Sequence, residues 1–149
     1  MTTSLVSRTI VVMTRFAIDA LTAIRLAREG ITFDEEHQLV APNVLHSHAL
    51  SFLYRSVRLG ELSDGEAKAI LLGITTMRIR LLGDRVSRAN AWKIADKLGW
   101  PDIGSAEYVA VAKLQADVFV TLDESLAIEV AGIVTVAPFS ALLTTGGPR

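Results

Sequence analysis

Short β-branched runs alternate with amphipathic stretches along this chain, and that alternation restricts its fold more than any other feature. Thr9-Ile10-Val11-Val12-Met13 is a compact apolar run suited to a buried first strand. Phe16 to Arg28 carries apolar residues at Phe16, Ala20, Leu21, Ile24, Leu26 and Ala27, a helical stripe that Gly30 would stop. Asp34-Glu35-Glu36 reads as an exposed loop, Gln38 to Ala41 as a second strand, and Asn43 after Pro42 as the cap of a helix from Val44 to about Arg58. Gly60 ends that helix, and Ser63-Asp64-Gly65-Glu66 has the form of a capping box opening another that reaches about Gly73. Met77 to Leu82 gives a third strand, and Asp84 starts a helix that stops near Gly99. After a turn at Pro101-Asp102, Ser105 is expected to cap a helix to Leu114. Val118 to Thr121 is a buried strand, Glu124 to Val130 a short helix, and Ile133 to Val136 the last strand. Such an order predicts an α/β three-layer sandwich on a mainly parallel sheet, with functional residues at the carboxyl ends of the strands.

The chain's 149 residues suffice for one domain, expected over 1–143, with Gly146-Gly147-Pro148 in a flexible tail over 144–149. Half the residues are apolar and 21% are charged, so burial can offset the entropy of ordering and intrinsic disorder is excluded. Fifteen basic against 16 acidic residues leave a formal charge of −1, which gives no broad positive field for nucleic acid. Cysteine is absent, so disulfides, thiolate metal sites and cysteine nucleophiles are excluded, in keeping with a cytoplasmic protein. The apolar run before Arg15 is too short for a signal-peptide core, and no window approaches a membrane span. A mean hydropathy of +0.39 points to strands buried on both faces and to an apolar subunit interface, hence a homodimer.

Three segments together resemble the PIN-domain ribonucleases, most closely the VapC toxins of bacterial toxin–antitoxin pairs. They are Ile10-Val11-Val12-Met13-Thr14-Arg15, Leu39-Val40-Ala41-Pro42-Asn43-Val44-Leu45, and Ser105-Ala106-Glu107-Tyr108-Val109-Ala110-Val111-Ala112 ahead of Phe119-Val120-Thr121-Leu122-Asp123. The last pair is the most specific, being similar to the family's Asp-Ala-x-Tyr helix followed by a strand ending in Thr-x-Asp. The resemblance implies a PIN-like fold and carboxylates that hold Mg²⁺ or Mn²⁺ to direct a water at an RNA phosphodiester.

On this alignment the acidic site is degenerate. The first-strand aspartate falls on Met13, the helix glutamate on His48 and the Asp-Ala-x-Tyr aspartate on Ser105, which leaves Asp123 with Glu107 close by. A thioether, an imidazole and a neutral hydroxyl are poor partners for a hard divalent ion, so no tightly bound cofactor is expected, and Mg or Mn only where activity remains. Asp123 reads equally as a last metal ligand or as the cap of the helix after it. Glu107 could contact a metal or complement a helix dipole. Arg15 reads as a surface arginine or as a partner of Asp123 that neutralises the pocket, as the resemblance implies an antitoxin arginine does in this family. His46 and His48 are too poorly phased on a helix for a joint zinc site. Asp19 reads as a solvated or capping residue in preference to a displaced substitute for the acid missing at Met13, Trp92 and Trp100 read as core, and Arg55, Arg58, Arg78, Arg80, Arg85 and Arg88 as surface.

Three functions follow from this reading. The first is a VapC-like protein whose ribonuclease activity is lost or much weakened, with a possible antitoxin partner and RNA contact only where activity persists. The second is a divergent metal-dependent endoribonuclease using Asp123, Glu107, Asp102 and His48. The third is an interaction module that binds a second copy or an antitoxin's amphipathic segment.

Overall fold

A computed structural model describes residues 13–32 and 37–143. The β-branched run before Met13, the acidic loop at 34–36 and the tail at 144–149 lie outside the described residues.

Within the described residues the chain runs β1 (Arg15–Ile18), α1 (Ala20–Glu29), β2 (Gln38–Pro42), α2 (Leu45–Arg58), α3 (Asp64–Thr76), β3 (Ile79–Leu82), α4 (Arg85–Leu98), α5 (Gly104–Gln115), β4 (Val118–Val120), α6 (Glu124–Val130), β5 (Val136–Ala137) and α7 (Ser140–Leu143). The five strands form one sheet in the order β3-β2-β1-β4-β5, and every pairing is parallel. Helices α1, α2 and α3 pack on one another, while α5 lies against β1, β2 and β4 with α4 upon it. The fold is thus a three-layer α/β/α sandwich, as the alternation of elements predicts. No helix among the described residues is long and apolar enough to cross a membrane.

The first strand differs from its sequence reading. It begins at Arg15, so Phe16-Ala17-Ile18 belongs to the sheet and not to the following helix. All three side chains are buried because β1 lies between β2 and β4 and is covered on both faces. A central strand of that kind has no polar alternation, so its apolar residues merge with a helical stripe that starts right after them. The true boundary is Asp19, whose side chain accepts from the Thr22 amide and caps α1.

Other boundaries follow their local chemistry. Gly30 and Gly99 take left-handed backbone conformations at the ends of α1 and α4, and both expected caps at Ser63 and Asp84 form reciprocal capping boxes. Asn43 and Ser105 do not cap: α2 starts from Val44 and α5 from Ile103, neither with a side-chain cap bond. The last strand is Val136–Ala137, because the amides of Ile133 and Val134 both bond back to the Val130 carbonyl in a turn. Trp92 is 69% exposed, which corrects its assignment to the core, whereas Trp100 is half-buried against it. Helix α5 is buried along most of its surface, from Ala106 to Ala112, which explains its alanine-rich composition.

Candidate functional site

The order of strands places a crevice between β1 and β4, where the chain first turns to β2 and β3 on one side and later to β5 on the other. Asp19 follows the carboxyl end of β1, and Thr121, Leu122 and Asp123 follow that of β4. A cavity of about 360 Å³ opens there, bordered by Asp19 and Asp123 from the strand ends, His48, Phe52 and Arg55 from α2, and Asp102, Ser105 and Tyr108 at the head of α5.

Asp19 is held from several directions. Its Oδ1 accepts from the Thr22 amide at 3.0 Å and the Thr22 hydroxyl at 2.6 Å, and its Oδ2 accepts from the Thr121 hydroxyl at 2.6 Å. The Thr121 oxygen in turn accepts from the Asp123 amide at 3.1 Å, and Asp123 Oδ1 accepts from the Leu126 amide at 3.0 Å. Thr22 and Thr121 are buried, so these bonds satisfy hydroxyls with no access to water. One chain of hydrogen bonds therefore joins the ends of two neighbouring strands to the starts of α1 and α6. Asp102 Oδ1 accepts from the Gly104 amide at 3.2 Å, at the head of α5.

The facing wall is different in kind. His48 Nδ1 and the Tyr108 hydroxyl lie 2.8 Å apart, linking α2 to α5. Tyr108 is 5% exposed, and burial, reinforced by the negative charges of Asp19 and Glu107, pushes its phenol well above the ordinary range. The phenol stays protonated, and His48 Nδ1 is the hydrogen-bond partner of its oxygen. A proton donated to Nδ1 leaves the ring proton on Nε2. Ser51 and Arg55 border the cavity from the same side of α2.

His48, Ser105 and Asp123 therefore come together. Met13 does not join them: it precedes the amino end of β1 and is 48% exposed, and Asp19 takes the place at the carboxyl end of that strand. Arg15 is exposed at the start of β1, where its backbone amide donates to Asp117 Oδ2 at 2.8 Å. The length of the strand separates it from the cavity, which excludes the expected pairing with Asp123, and the arginine that borders the cavity is Arg55. Glu107 is half-buried on α5 and does not border the cavity; two positions on from Ser105, it is turned roughly 200° around the helix. His46 does not border the cavity either, and its Nε2 is buried without a hydrogen-bond partner. Asp123 caps α6, as one of its two readings has it, and also lines the cavity. Asp19 likewise caps and lines, and its signal was available in the sequence as an aspartate with threonine three residues on.

No group of three or more His, Asp or Glu side chains among the described residues converges closely enough to hold a metal ion. The donor chemistry agrees. Asp19 has both oxygens bonded, His48 offers a nitrogen ring better suited to softer ions, and Ser105 adds no charge. At His48 and Ser105 the cavity offers a hard divalent ion no anionic oxygen.

No protein-family model and no curated protein sequence matches the chain. Among solved structures, it is similar to the crystal structure of PAE2754 from Pyrobaculum aerophilum, at 18% identity and a TM-score of 0.65, over 89% of this chain and 96% of that one. At that identity the likeness establishes a shared fold along nearly the full length of both chains.

Proposed function

We propose that this chain is a PIN-domain protein of the VapC toxin type whose metal-dependent ribonuclease activity is lost or much weakened. The observation that carries this reading is the meeting of His48 and Ser105 with Asp19 and Asp123 at the carboxyl ends of β1 and β4. In the family the resemblance names, that position gathers acids around a cation. Here two of the four places hold an imidazole and a hydroxyl, and not three as the alignment through Met13 implies. The fold and the Thr-x-Asp turn after β4 support the kinship, and the donor set supports the loss of catalysis. On this reading the protein works in the cytoplasm, as a homodimer, with an antitoxin as its partner.

The test is digestion of a mixed RNA substrate with Mg²⁺ or Mn²⁺. The wild type is expected to be inert, while His48→Glu/Ser105→Asp, which restores both acids, gains Mn²⁺-dependent cleavage and Mn²⁺ binding by calorimetry. Tight Mn²⁺ binding and efficient cleavage by the wild type would overturn the proposal. A second reading, an active divergent endoribonuclease, draws on one observation: Asp19, Asp102 and Asp123 all border one cavity. It requires wild-type cleavage that Asp123→Ala abolishes. Size-exclusion chromatography and co-expression with the adjoining reading frame test the dimer and the antitoxin.

A further inference from the structure

The three carboxylates at this cavity each serve the start of a helix. Asp19 caps α1, Asp123 caps α6, and Asp102 accepts from the Gly104 amide at the head of α5. Their charge faces the positive ends of helices and the amides that no helical carbonyl satisfies. The donors on the other wall have no such partners. Arg55 forms no ion pair among the described residues, where the pairs are Arg25 with Glu29 and Lys68 with Asp64. Its guanidinium carbon lies 5.7 Å from the centre of the Phe52 ring. Arg55 and His48 lie seven positions apart on α2, on one face of the helix, and both border the cavity. In the tautomer whose Nδ1 accepts from the Tyr108 phenol, His48 presents an Nε2 proton.

We infer that the cavity binds a phosphate ester directly through Arg55 and His48, with no metal ion between them. A guanidinium and an imidazole N–H match phosphate oxygens in charge and geometry, and Phe52 gives an adjoining apolar surface for a sugar or base. The volume of about 360 Å³ admits a mononucleotide or the end of a single strand. The inference rests on the proposed function, deepening it: where a catalytic relative holds phosphate through a cation bridged to acids, this chain does so through its own donors.

The experiment is fluorescence anisotropy in excess EDTA with a labelled oligoribonucleotide carrying a 5′-phosphate or a 5′-hydroxyl. A nucleoside 5′-monophosphate and the free nucleoside serve as competitors. Expected are binding that EDTA leaves unchanged, competition by the monophosphate and not the nucleoside, and an affinity loss of about tenfold or more in Arg55→Ala and in His48→Glu. Preference for the 5′-phosphate strand assigns a strand end, whereas equal binding of both strands assigns an internal phosphodiester; both outcomes support the inference. Arg58→Ala, on the same helix but away from the cavity, is the control for general attraction to a basic helix. Binding that needs Mn²⁺, no binding at all, or an equal loss in the Arg58 and Arg55 variants would overturn it. Cleavage in Mn²⁺ reads out the proposed function separately, so an active wild type that also binds in EDTA would sink that reading and leave this one standing.

Discussion

The two walls of the cavity use similar polar residues and hold them in opposite ways. At the strand ends, Asp19, Thr22, Thr121 and Asp123 bond to one another and to backbone amides, so their oxygens serve the fold. On the helical wall, the His48 to Tyr108 contact is the one hydrogen bond that joins α2 to α5 through side chains among the described residues, and Arg55 and Ser105 are exposed. Substitution at the first wall disturbs helices and strands. At the second it changes what the cavity can bind. On the proposed reading, acids would be lost from the helical wall first, because Asp19 and Asp123 also serve the fold.

The sharpest way to break that comparison is Asp19→Ala. It removes the cap of α1, leaves the buried Thr121 hydroxyl without its acceptor and leaves the Thr22 hydroxyl only the Val120 carbonyl at 3.4 Å. The lost cap, the orphaned Thr121 hydroxyl and the weakened Thr22 bond together predict a destabilisation of about 2–4 kcal/mol, measured by urea unfolding. A loss below about 0.5 kcal/mol, the usual scale of a surface change, would show that the strand-end network does not hold the fold.

Tyr108 gives the next largest effect, and it depends on pH. Its phenol is raised in the folded state, first by burial and then by Asp19 and Glu107. Below the phenol's ordinary value both folded and unfolded chains keep the proton, and this group adds no pH dependence. Above about pH 10 the unfolded chain releases its proton while the folded chain retains it, so stability falls by about 1.4 kcal/mol per pH unit. Tyr108→Phe removes that component of the alkaline fall, as denaturant midpoints at successive pH values would show. In Tyr54→Phe, which leaves Tyr108 as the sole phenol, near-ultraviolet absorbance reports its ionisation directly. An alkaline fall of equal slope in Tyr108→Phe would remove Tyr108 as its source.

Asp123→Ala follows, at about 1 kcal/mol. It deletes the side-chain cap of α6 but leaves the backbone amide of residue 123 on the Thr121 hydroxyl. Equality with Asp19→Ala would mean that the two ends of the network are equivalent, whereas the structure gives Asp19 the buried partners.

The same contrast explains which parts of the molecule could be read from sequence. Signals that act within a few residues were legible: Ser63 with Glu66, Asp84 before its helix, Gly30 and Gly99 after theirs, and the strand leading to Thr121. Alternating elements sufficed for the three layers and the parallel sheet. The first strand was misplaced because Phe16 to Ile18, buried on both faces, fits a helical stripe as well as a strand. That shift set Met13 and Arg15 at the cavity, which Asp19 borders and they do not. His48 and Ser105 were found because they lie inside segments whose boundaries were nearly right. Their surroundings were not legible: Tyr108 meets His48 across 60 positions, and Thr121 meets Asp19 across 102, distances that only the sheet order closes.

Ser105→Ala is the smallest expected effect and the finest probe of the two walls. Ser105 is exposed in the first turn of α5, where Ile103 and not Ser105 is the cap residue, and α5 begins with no side-chain cap bond. Nothing in the strand-end network touches its hydroxyl. Alanine is the better helix former by up to about 0.5 kcal/mol, so the variant should equal or slightly exceed the wild type in urea unfolding. A loss of about 2 kcal/mol would instead tie the hydroxyl to the folded state, and the helical wall would then share the structural burden that the geometry gives to the strand ends alone. Paired with Asp19→Ala, this neutral result would locate the line between scaffold and binding surface within a single cavity.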